Sequence, residues 1–175
     1  MQKILSLQEA ISVLDSIEVG RQGITDIFKK FTIDADTCRA HCFWDKEHYT
    51  RNLIRRNPEY ELLILCWGPG QVSPIHNHEK QDCWMYVVSG SFEEKRFDFE
   101  KNKLRYRDSF FLEEGKFSFI NDDIGLHRIC NAKEKPGITL HLYSKPIDYC
   151  NVYSEEATVI ERKTLKYDSI HGKPA

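Results

Sequence analysis

From the N-terminus, the apolar positions recur at helical intervals. Leu7, Ala10, Ile11, Leu14 and Ile17 fall three or four residues apart, and Ser6 precedes Glu9 with the spacing of a capping box, so this stretch predicts an amphipathic helix packed on something else. A second short helix is expected around Ile24 to Phe31, and the run from Asp45 to Ile54 reads as a third. After Pro58 the pattern changes to that of strands. Tyr60–Trp67, Trp84–Val88, Phe92–Phe99, Phe117–Ile120 and Ile138–Tyr143 are short runs rich in β-branched and aromatic residues, separated by Gly, Pro, Asn and Asp. Their spacing predicts a mainly β fold, an all-β barrel or jelly roll with the N-terminal helices packed on it. The helical part is expected over about residues 1–57 and the barrel over about 58–160, in one domain spanning 1–175. The tail from Arg162 is polar, and His171 within it reads as solvated.

Composition narrows the partners. The formal charge is −2, with acids and bases interspersed, which argues against nucleic acid or an anionic membrane. Gln8 and Glu9 interrupt the apolar stretch that a secretory peptide needs, and no segment approaches a membrane-spanning length, so a soluble, cytoplasmic protein is expected. Six scattered cysteines (Cys38, Cys42, Cys66, Cys83, Cys130, Cys150) read as reduced thiols. Cys38, His41 and Cys42 are spaced like a metal knuckle, but no second ligand pair follows, and an ordinary helix or loop surface is expected there.

His76 and His78 stand two residues apart in a strand-like context, where alternation puts both rings on one face. Two imidazoles make half of a metal site, and His127 is the candidate for the remainder. Alone, His127 would read as a structural histidine; its partnership with the pair changes that. On the last strand run, Thr139, His141 and Tyr143 share one face and Ile138, Leu140 and Leu142 the other. Two polar aromatics aimed inward beside a metal suggest a hydrogen-bonded relay.

Written out, Gly70-x5-His76-x-His78-x4-Cys83-x6-Gly90 resembles the first cupin motif, with Cys83 where that family usually has a glutamate ligand. Gly115 and Ile124-Gly125-Leu126-His127-x3-Asn131 match the second motif in part. Without the glutamate, a divalent metal held by three neutral imidazoles keeps its full charge, which favours a substrate that binds as an anion. A narrower resemblance is to the cysteine dioxygenases, carried by Tyr49-Thr50-Arg51-Asn52-Leu53, Leu65–Gly68, the His76/His78/Cys83 group, Ile120–Arg128 and Leu140–Ser144. It implies a cupin-like fold and the oxidation of L-cysteine by O2 to cysteine sulfinate at Fe(II). His76, His78 and His127 would be the iron ligands, Arg51 the clamp on the substrate carboxylate with Tyr49 beside it, and Tyr143 the active-site phenol steadied by His141. Cys83 and Tyr143 correspond to a pair that many members join by a thioether bond. By default Arg51 would be a solvated helix residue and Cys83 a small buried hydrophobe. Thr139 replaces a serine common in relatives but keeps the hydroxyl, and Lys145 precedes Pro146 where many have two prolines, which disfavours a cis bond. A thiol dioxygenase acting on 3-mercaptopropionate is the enzymatic alternative, against which Arg51 and Cys83 speak; a non-catalytic metal-binding cupin sensing a small ligand is the other. The small-molecule partners implied are L-cysteine and O2, and a monomer is expected.

Overall fold

The computed structural model describes residues 3–16, 20–154 and 160–175. The first two expected helices form, as α1 (Leu7–Asp15) and α2 (Arg21–Phe28), and Ser6 caps α1 by accepting from the Glu9 N–H at 3.2 Å. Ile17, counted above with the α1 pattern, lies outside the described residues. A 3-10 helix (Ala35–His41) follows that the periodicity did not suggest. Its Cys38 is buried in the core, so the Cys38/His41/Cys42 segment is not merely surface, and it belongs to no cluster of metal-ligating groups among the described residues.

The third expected helix is a strand. β1 (Thr50–Arg56) pairs antiparallel with β2 (Tyr60–Trp67), with Arg51 opposite Leu65 and Leu53 opposite Leu63. Helix propensity over residues 45–54 is weak enough for this pairing, which buries Leu53 and Ile54, to decide the conformation. The remaining strands are β3 (Ile75–His76), β4 (Cys83–Ser89), β5 (Ser91–Glu100), β6 (Lys103–Glu113), β7 (Phe117–Ile120), β8 (Leu126–Asn131), β9 (Gly137–Ser144), β10 (Tyr149–Tyr153), β11 (Ile160–Thr164), β12 (Ser169–Ile170) and β13 (Lys173–Pro174). They form a seven-stranded sheet, ordered β13-β12-β1-β2-β9-β4-β7, and a six-stranded sheet, ordered β11-β10-β3-β8-β5-β6. The fold is therefore mainly β, of the jelly-roll kind, as two sheets rather than a closed barrel. The sheets begin at Thr50 instead of near residue 58 and run past 160 into the polar tail.

Two cores share the seven-stranded sheet. Leu62, Ile64 and Cys66 on β2, Trp84, Tyr86 and Val88 on β4, and Leu140 and Leu142 on β9 pack with α1 and α2. The alternate residues Leu63, Leu65, Trp67, Cys83, Met85, Val87 and Tyr143 turn the other way and pack with Phe92, Leu112 and Ile129 of the six-stranded sheet. All eight residues of β2 are buried as a result, which explains its apolar run from Leu62 to Trp67. Gly90, at φ +97°, turns β4 into β5 where a Cβ would stand 3.1 Å from the Gly137 Cα.

Candidate metal centre and substrate cavity

The histidine pair and its expected partner do meet. β3 ends at His76, which lies directly opposite His127 of β8 in the ladder. His78 falls just past the strand, and its ring still converges, with centroids 5.1 Å from His76 and 4.7 Å from His127. One ring nitrogen from each can be chosen so that all three lie within 4.8 Å of one another; no other group of three or more histidine, cysteine or acidic side chains does so among the described residues.

Hydrogen bonds decide which nitrogens are available. His76 Nδ1 lies 2.9 Å from the Pro74 carbonyl, and His127 Nδ1 lies 3.1 Å from Glu94 Oε1. Both acceptors require the proton on Nδ1, leaving each Nε2 with a lone pair. Both nitrogens of the fully buried His78 meet no hydrogen-bond partner, a costly state that a metal ion would relieve. Three lone-pair imidazoles, close and dry, fit a borderline divalent transition metal.

Glu94 escaped the sequence reading. It is fully buried on β5, where it also accepts from Ser118 Oγ and from Arg96 Nε at 3.2 Å. Burial pushes its carboxyl up, but the bonds from His127 and Ser118 and the charge of Arg96 outweigh this and hold it below its ordinary range. A carboxylate on the second nitrogen of a ligating histidine fixes the tautomer and raises ligand basicity. The signal was present in the alternation, since Glu94 shares a face with Phe92, an inward position.

Two loops set the ligands. Asp122 accepts from the His78 N–H at 2.7 Å and the Lys80 N–H at 2.8 Å, holding a turn in which Glu79 and Lys80 both have positive φ. Gly125, at φ +140°, leads into β8 two residues before His127, and a Cβ there would come 2.7 Å from the Phe97 carbonyl oxygen. That close approach is why a glycine precedes Leu126-His127.

A cavity of about 250 Å³ opens at this group, with Tyr49, Arg51, His76, His127, His141 and Tyr143 on its wall. Tyr49 stacks on Trp67 with centroids 4.3 Å apart. Nε and Nη2 of Arg51 are buried and meet no hydrogen-bond partner, so the guanidinium keeps donors to spend. Trp67 Nε1 donates to Thr139 Oγ1 at 2.9 Å, and Thr139 Oγ1 lies 2.9 Å from His141 Nε2. The threonine hydroxyl accepts from the indole and shares a hydrogen bond with His141 Nε2, which ties the imidazole to Trp67. The expected relay ran between the two polar aromatics; His141 instead bonds Thr139, and it meets Tyr143 as a ring, with centroids 6.4 Å apart. Cys83 and His78 are not on the cavity wall. Cys83 lies directly opposite Tyr143 on the neighbouring strand, thiol against phenol, and burial raises the pKa of both.

The site is divided between the sheets. His76, His127 and Glu94 belong to the six-stranded sheet, and Arg51, Cys83, His141 and Tyr143 to the seven-stranded one.

Burial also sets an acid limit. It pushes His76 down to about 3, and it drives His78 and His141 well below the usual histidine range, each helped by the crowding of the other imidazoles. In the metal-free protein these rings stay neutral while the unfolded chain takes up protons below about pH 6.5, so stability falls as the pH drops from there, for His76 until about 3. Three such groups cost up to about 4 kcal/mol per pH unit. The denaturant midpoint of metal-free protein is expected to drop steeply between pH 7 and pH 5; equal midpoints would show that the rings are protonated in the fold.

A two-sheet jelly roll with three converging imidazoles, two of them on the wall of a cavity and the third buried behind it, defines a cupin-class protein with a site able to hold a metal ion. The comparisons place it more narrowly: the family model described as cysteine dioxygenase type I matches residues 3–156, and the chain belongs to that family. It is 31% identical over 176 residues to cysteine dioxygenase type 1 of Homo sapiens, covering 95% of this chain and 88% of that protein. It is 30% identical over 161 residues to the Danio rerio protein of the same name, covering 89% and 79%. Among solved structures, a double-stranded beta-helix protein from Klebsiella pneumoniae superposes with a TM-score of 0.56 at 14% identity, over 66% of this chain and 93% of that one, a likeness of fold. The family makes the chain an oxygenase acting on thiols. No described helix is long and apolar enough to cross a membrane.

Proposed function

We propose that the protein is an iron-dependent cysteine dioxygenase, joining both atoms of O2 to the thiol sulfur of L-cysteine to give cysteine sulfinate. The observation that carries this reading is a cavity that borders a group of three imidazoles without a ligating carboxylate, through His76 and His127, and also presents a guanidinium with unspent donors. Bound at His76, His78 and His127, Fe(II) would supply the redox chemistry that unites dioxygen with sulfur.

The chain's own residues supply grip and orientation. Arg51 offers the planar fork that matches a carboxylate, in a partly dry pocket where that bond is strong. Tyr143 is kept protonated by burial and so faces the cavity as a donor. His141, its Nε2 bonded to Thr139, keeps a buried Nδ1 with no partner in the protein. Tyr49, stacked on Trp67, closes an apolar side of the wall. Six free cysteines fit a reducing, cytoplasmic setting.

The test is anaerobic iron loading followed by oxygen uptake with L-cysteine and mass analysis of the product. One sulfinate per O2 consumed is expected; uptake that yields only cystine would overturn the assignment.

Cys83 and Tyr143 add a further expectation. They are paired across β4 and β9 with thiol and phenol in contact. Oxidation by O2 during turnover would remove one hydrogen from each and join sulfur to ring carbon. After exposure to cysteine, iron and air, a Cys83 peptide is expected linked to a Tyr143 peptide, two hydrogens lighter than their sum. Free alkylation of Cys83 after many turnovers would rule the link out.

A further inference from the structure

The polar tail does not simply face solvent; it borders the cavity and takes hold of Arg51. Leu165 and Lys166 are on the cavity wall. Asp168 pairs with the Arg51 backbone in both directions: Arg51 N–H donates to Asp168 Oδ2 at 2.8 Å, and Asp168 N–H donates to the Arg51 carbonyl at 2.8 Å. Tyr167 sets its ring 5.9 Å from the guanidinium carbon of Arg51. That ring is tethered, because its hydroxyl donates to the fully buried Glu61 carboxylate and accepts from Arg56 Nη1. Burial, reinforced by Glu61, pushes the phenol up to about 12, so the hydroxyl remains a donor at any working pH. Meanwhile Nε and Nη2 of Arg51 remain unspent.

We propose that Tyr167 is a positioning residue for substrate selection: its ring, pinned by Glu61 and Arg56, carries the Arg51 guanidinium at the cavity and leaves the N–H fork free for a thiol that bears a carboxylate. An acidic side chain in its place would hold the arginine more tightly, but it would occupy the fork and cancel the charge that the substrate must find. An aromatic face attracts the cation through its quadrupole and consumes no donor. The tether matters because a free ring would pay back in side-chain entropy what the contact gives. This inference rests on the reading of Arg51 as the carboxylate clamp.

The experiment uses the full chain loaded with Co(II) under anaerobic conditions and titrated with L-cysteine and with cysteamine, its analogue without a carboxylate. The thiolate-to-cobalt absorption gives both affinities. Wild type is expected to prefer L-cysteine. In Tyr167→Ala this preference falls about tenfold, the size of a partly desolvated cation–aromatic contact, while cysteamine affinity stays unchanged. Tyr167→Phe keeps the ring and most of the preference. If the alanine variant does not fold, Tyr167→Leu, which keeps apolar bulk without the aromatic face, carries the same reading. A preference that survives in the alanine or leucine variant overturns the proposal. So does an equal loss for both thiols, which marks a merely structural role, or a Tyr167→Phe protein as defective as Tyr167→Ala. Wild type without any preference for L-cysteine removes the clamp reading of Arg51 itself, and this proposal with it.

Discussion

Alanine at any one of His76, His78 or His127 is expected to abolish iron retention and thiol oxidation together. Each ring brings one nitrogen to a group within 4.8 Å, and no carboxylate or thiol belongs to that group to take over a lost position. Removing a ring leaves two neutral donors facing a divalent ion, which water competes for effectively. The outer partner Glu94 provides a scale. Loss of such a carboxylate costs about 10–100-fold in metal affinity, so Glu94→Gln should fall in that range and each histidine substitution well beyond it. Metal content by mass spectrometry, measured beside oxygen uptake, separates the two. Full iron occupancy in purified His127→Ala protein would take that residue out of the site.

Arg51→Ala should lose most of kcat/KM for L-cysteine and little for cysteamine. Deleting one partner of a desolvated charge pair costs about 2–5 kcal/mol, or about 30-fold to several thousand-fold. The expected discrimination comes from the carboxylate, because Arg51 presents a planar fork at the cavity whose Nε and Nη2 are buried and otherwise unused. Lysine at the same position would keep a charge but lose the planar pair of donors, and an intermediate value is expected. Equal losses for both thiols would mean that Arg51 shapes the wall instead of reading the substrate.

Much of this site was legible in the chain because strand alternation has a period of two. The row Thr139, His141, Tyr143 and the row Ile138, Leu140, Leu142 were readable directly, and apart from the half-buried Ile138 both are buried, against different cores. The histidine pair was legible as chemistry, although β3 stops at His76 and a turn held by Asp122 finishes the placement of His78. What failed to show was decided by distant partners. β6 is an edge strand of mostly exposed, charged residues, and β8 mixes His127 and Arg128 into its apolar positions, so neither reads as a strand locally. Arg51 was expected on a helix because its neighbours' pairing with β2 lies 14 residues away in sequence, opposite Leu65. The tail looked polar for a similar reason: its contribution lies in Tyr167 and Asp168, whose partners stand more than a hundred residues earlier.

The split of the cavity between two sheets has a consequence for how such a protein can diversify. The layer that carries His76, His127 and Glu94 supplies the donors for an ion and part of the cavity wall, while the layer that carries Arg51, His141 and Tyr143 supplies the guanidinium, imidazole and phenol that an organic molecule would meet. Drift in the second layer changes the guest list without retraining the first. A lineage built on this plan could therefore explore new thiols by exchanging side chains on one sheet, each trial starting from an intact metal holder.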